Sequence, residues 1–137
     1  MDDDRLVEMF EAAEMPPDGF HHRDHVRLGW WYLRRYPLPE AVTRFCEGLR
    51  RFAAAQGKPD LFHETITLAF LLLINERLDG KTRGGSWERF ADENQDLLSW
   101  KPSVLDRYYR PETLFSDRAR RTFVMPDRLE RVATRDS

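Results

Sequence analysis

All four histidines of this chain lie in two short segments, Phe20-His21-His22-Arg23-Asp24-His25 and Phe62-His63-Glu64-Thr65. Imidazole binds transition metals and moves protons near neutral pH. His22/His25 and His21/His25 have the i, i+3 and i, i+4 spacings that project from one face of a helix. His63 adds a third nitrogen, and Glu64 or Asp24 could add an oxygen. Three protein ligands with an open position describe a catalytic zinc site. Two histidines and a carboxylate describe non-haem iron. The expected site is therefore His22, His25 and His63 around zinc or iron, with His25, His63 and Glu64 as the catalytic groups. No HExxH, paired ExxH or CxxC pattern accompanies it. His63-Glu64-Thr65-Ile66-Thr67 lacks the second histidine of a zincin motif. Without a metal, the same rings would transfer protons, or would only order helix ends through hydrogen bonds. A helix N-terminus disfavours positive charge, so histidines in a first turn stay neutral. His25 and His63 are the favoured pair. His21 and His22 compete for one inward position, which leaves one of them solvated.

The elements that position these rings read as helices, and no segment shows a strand pattern. The first helix is expected from about Asp4 to Glu14, before Met15-Pro16-Pro17-Asp18-Gly19. The second starts near His22 and stops before Pro37, which disfavours a helical residue before it. The third starts at Pro39 and carries Ala41, Val42, Phe45, Cys46, Leu49, Phe52 and Ala53 in one stripe, with Gly57 as C-cap. Asp60 is the expected N-cap of a fourth helix that is apolar nearly all round from Ile66 to Ile74, as a central helix reads. It ends at Asp79-Gly80, and Lys81 to Gly85 reads as a loop. Ser86 is expected to cap a fifth helix running to about Trp100. Prolines 102, 111 and 126 then divide the chain into short pieces, with helices near Ser103–Tyr109 and Ser116–Phe123.

The sequence thus predicts an all-α, single-domain, up-down bundle of about five main helices. Residues 1–127 form the domain, and 128–137 are charged and frayed. In that topology the second and fourth helices run the same way, so both histidine segments start at one end. The fifth helix finishes there, and the tail of short helices folds over that end as a lid. Tyr108, Tyr109, Arg118 and Arg121, with Tyr32 from the second helix, are the expected ligand contacts. An arginine there could clamp a carboxylate or phosphate, although pairing with nearby acids is the ordinary alternative. Trp30, Trp31 and Tyr32 cannot all face one side. Gly29 leaves room either for close approach of the fourth helix or for a ligand beside His25.

The 137 residues are 41% hydrophobic and 34% charged, with a net charge of −2. That balance gives no electrostatic case for nucleic acid or an anionic membrane. The longest apolar run is too short to span a bilayer. The single cysteine, Cys46, rules out an internal disulfide, reads as a small buried hydrophobe, and fits the cytoplasm. The acidic start Met1-Asp2-Asp3-Asp4 does not read as a signal peptide.

The set Phe20-x-His22-x-x-His25, His63-Glu64-Thr65-x-Thr67, Arg107-Tyr108-Tyr109 and Leu114-x-Ser116-x-x-Ala119-Arg120, followed by Phe123-Val124-x-Pro126-Asp127, resembles a small bacterial family of uncharacterised helical proteins. The resemblance spans about Phe20 to Asp127. It implies that the histidine segments and the tail belong to one unit, and it brings no activity. The readings left open are a metal-assisted small-molecule hydrolase or oxygenase, a module that binds a ligand or a partner (a homodimer among them), and a structural domain.

Overall fold

The computed structural model describes residues 1–78 and 84–128. The expected Asp79-Gly80 stop, most of the following loop and nearly all of the charged end lie outside the described residues. Within them the chain is helical, and the only extended pairing is an isolated bridge between Trp100 and Ser103.

Helix α1 (Asp3–Glu11) is capped by the Asp2 carboxylate, which accepts the Arg5 N–H at 2.8 Å. It stops short of Glu14 because Ala13 turns into the left-handed region (φ 57°). Helix α2 (His22–Arg35) opens with the Asp24 carboxylate on the His21 N–H at 2.9 Å. Helix α3 (Leu38–Ala55) buries Ala41, Phe45, Cys46, Leu49 and Ala53, as their spacing predicts. Gly57 follows its end at φ +70°, which glycine adopts without strain.

Two expectations about helix α4 (Glu64–Arg77) need correction. Asp60 does not cap it. Pro59–Leu61 forms a separate 3-10 turn, and His63 is the N-cap. Nor is α4 the surrounded helix, because Leu72 is 44% exposed. The central element is α2, which packs against α1, α3, α4 and α6. Gly29 makes one of those contacts possible. A Cβ there would lie 3.0 Å from Ile74 Cδ1 and 3.1 Å from Leu71 Cδ2. The glycine therefore brings α2 and α4 together rather than leaving space for a ligand.

The expected fifth helix is two pieces, α5 (Trp87–Glu93) and α6 (Gln95–Leu98). Asn94 breaks it because its side chain is held elsewhere. It donates to the Phe90 carbonyl at 2.9 Å and accepts from Arg77 at 2.8 Å. Arg77 also makes a two-pronged pair with Asp96, at 3.0 and 2.9 Å.

Beyond Trp100 come a 3-10 turn (Val104–Arg107), α7 (Pro111–Leu114) and α8 (Asp117–Arg121), with Ser103 and Ser116 as N-caps. Helix α8 lies along α4. The extended residues after α8 are tied down by buried Thr65. Its hydroxyl donates to the Thr122 carbonyl at 2.8 Å and accepts the Val124 N–H at 3.1 Å. Tyr109 donates to the Val124 carbonyl at 2.6 Å. The Asp127 carboxylate accepts from Arg110 N–H and the Thr113 hydroxyl. The tail motif is thus a closed strap.

The bundle is up-down where it matters for the site. α2 and α4 start, and α3 and α6 finish, around one cleft whose walls include His22, His63, Phe52 and Trp100. No helix among the described residues is long and apolar enough to cross a membrane.

Candidate functional site

The cleft has a volume of about 660 Å³ and opens to solvent. Its outer part is aromatic, with Phe20 from the segment before α2, Phe52 from α3, Phe62 before α4, and Trp100. Its inner end narrows into a recess of about 40 Å³ between Val26, Phe45, Phe70, Leu71 and Ile74. His22, His25 and Thr67, with the apolar Leu49 and Ile66, line both parts, so three polar groups sit in the collar between them.

The three rings that face this space differ in what their nitrogens do. His63 uses both. Its Nδ1 accepts the Ile66 N–H at 3.1 Å, which caps α4, and its Nε2–H donates to the Leu114 carbonyl at 2.8 Å. Those partners fix the neutral tautomer. Burial pushes its pKa down first, the Leu114 bond opposes this, and Arg120 adds to the lowering. His22 donates Nε2–H to the Leu97 carbonyl at 2.9 Å and packs against Phe70 and Trp100. Burial lowers its pKa too, against that carbonyl. His25 stacks on Phe20 at 4.2 Å, and its ring has no hydrogen-bond partner among the described residues. Burial, and secondarily the neighbouring His22, hold it down to about 4. At neutral pH it is an uncharged ring with a free lone pair. His21 is exposed, so His22 took the inward position.

Among the described residues, no group of three or more His, Cys, Asp or Glu side chains could hold a metal ion. The hydrogen bonds give the reason at His63, where metallation would cost a helix cap or the link to Leu114. Glu64 is also turned away from the cleft. It pairs with Arg50 at 3.2 Å and lines a separate groove with Asp60, Arg120 and Arg121 on the other side of Phe62. The residues do not fit a His22–His25–His63 metal site as they stand.

The expected ligand contacts lie elsewhere. Tyr32 is 1% exposed in the core and donates its hydroxyl to Glu11. Tyr109 is buried in the strap, and Tyr108 packs against the core. Arg118 is exposed on α8, and Arg121 belongs to the groove. None of these five lines the cleft; the tail reaches its edge through the Leu114 carbonyl on His63 instead. The geometry of α4 explains why. Thr65 and Thr67 are about 200° apart around a helix, so the strap held by Thr65 and the cleft faced by Thr67 occupy opposite sides.

No protein-family model, curated protein or solved structure matches this chain.

Its chemistry is therefore read from the cleft alone, and there sequence reasoning missed Thr67. Thr67 lines the recess, and its hydroxyl has no hydrogen-bond partner among the described residues. Lys58 and Gln56, at the mouth, were also missed. Cys46 is inert packing, with a thiol pushed up to about 11 by burial and then by Glu64.

Proposed function

We propose that this chain binds a small, mostly apolar molecule in the aromatic cleft, and that His25 accepts a hydrogen bond from a polar hydrogen of that molecule. The observation that carries the reading is the neutral, partnerless His25 ring inside an aromatic cavity. The ring is only partly buried, so its lone pair is open to the cleft and a ligand hydrogen would engage it there. The volume lies within the range of small-molecule sites, about 300–1,000 Å³. A ring with a pKa near 4 pulls weakly on a proton at pH 7, so hydrogen-bond acceptance is the role it serves most directly.

The free Thr67 hydroxyl favours a second reading on the same ligand. His25 would act as general base on an acidic hydrogen while Thr67 donates to the oxygen left negative.

The test compares 2-naphthol with naphthalene, matched in shape and differing by one hydroxyl. Trp100 at the lip reports occupancy by fluorescence. A hydrogen bond worth about 1 kcal/mol makes naphthol bind roughly fivefold tighter, and His25→Phe should erase that preference while naphthalene still binds. Equal binding of the two molecules to the unaltered protein, or binding of neither, would sink the proposal.

A further inference from the structure

The charge distribution around the cleft restricts the ligand further. Among the described residues, Lys58 is the only formally charged side chain on its walls. The three histidines there are held neutral by burial. Lys58 is exposed at the mouth and makes no ion pair among the described residues. Asp60 and Glu64 line the neighbouring groove rather than the cleft, and Arg50 takes Glu64 there. A cationic ligand would find no counter-charge, whereas an anion would find one. The inner recess is closed by side chains such as Leu71 and Ile74, each 1% exposed, so it admits only an apolar end.

Resting on the binding reading above, we propose that the ligand is an amphipathic monoanion such as a medium-chain or aryl-alkyl carboxylate. Its apolar end sits in the recess beyond the His25–Thr67 collar, and its anionic end sits at Lys58. The polar hydrogen accepted by His25 then lies part-way along the molecule, as in a hydroxy acid. Arg120 and Arg121 lie beyond Phe62 and do not take part.

The test displaces bound 2-naphthol with decanoate, 1-decanol and decylamine at pH 7, each below its micellar concentration. Decanoate should compete best and decylamine worst. Lys58→Met should weaken decanoate about two- to fivefold, the span of an exposed ion pair, and leave decanol unchanged. Lys58→Glu should reverse the order of decanoate and decylamine. Equal competition by all three, or a decanoate preference that survives both Lys58 variants and falls with Arg120→Ala, would overturn the assignment. Failure of 2-naphthol itself to bind would refute the site, and this inference with it. Binding of 2-naphthol that decanoate cannot displace would refute the inference alone.

Discussion

Acid should destabilise this protein through His25, by an amount that can be worked out. In an unfolded chain the ring titrates near its ordinary value of 6.5, and in the folded chain near 4. The unfolded state therefore takes the proton first. Stability that is complete above pH 6.5 is lost as the pH falls from 6.5 towards 4. One group with these two values removes about 2 kcal/mol between pH 7.5 and 5.0, and about 3 kcal/mol below pH 4. The ring is only partly shielded from solvent, so these are upper values. Burial first, and then His22 beside it, oppose its protonation. His22 and His63 shift the same way, but they are common to both proteins in the comparison. The assay is urea denaturation of the unaltered protein and His25→Gln at both pH values. The variant keeps a polar side chain and removes the titration. It should lose less stability on acidification, by up to about 2 kcal/mol. An identical acid loss in both proteins, or a His25 pKa near 6.5 by NMR, would refute the reasoning.

Thr65→Val keeps the shape and deletes both strap bonds. It should cost about 1–3 kcal/mol and expose the tail to limited proteolysis; an unchanged digestion pattern would contradict the strap. His63→Phe should cost about 1–3 kcal/mol and speed hydrogen exchange at the Ile66 amide, and His63→Asn should recover part of the loss by restoring the cap. Equal exchange in all three proteins would show that His63 is not the cap. Zinc at about 100 µM should leave Tm unchanged, since a site with Kd near 1 µM would add about 2.7 kcal/mol at that level. A rise that disappears in His25→Gln would revive the metal site.

Several features were legible because they depend on local rules. Prolines 16, 17 and 37 bound the first two helices, and the α3 stripe spells out its buried face. Short connections impose antiparallel neighbours, so the two histidine segments could be brought to one end before any coordinates. Asn94 broke that logic, because its side chain finds partners in Arg77 and Phe90 instead of extending a helix. Tyr32 and Tyr109 read as ligand contacts because a buried hydroxyl and a binding hydroxyl look the same in sequence.

What the sequence determined by itself was an all-helical chain with histidines at the starts of its second and fourth helices. What only the tertiary structure decided was which imidazole is free. His22 is taken by a carbonyl 75 residues away and His63 by one 51 residues away, while no hydrogen bond among the described residues reaches His25. Spacing can place a ring on a helix face. Whether a distant carbonyl arrives to occupy its nitrogen depends on how the rest of the chain packs.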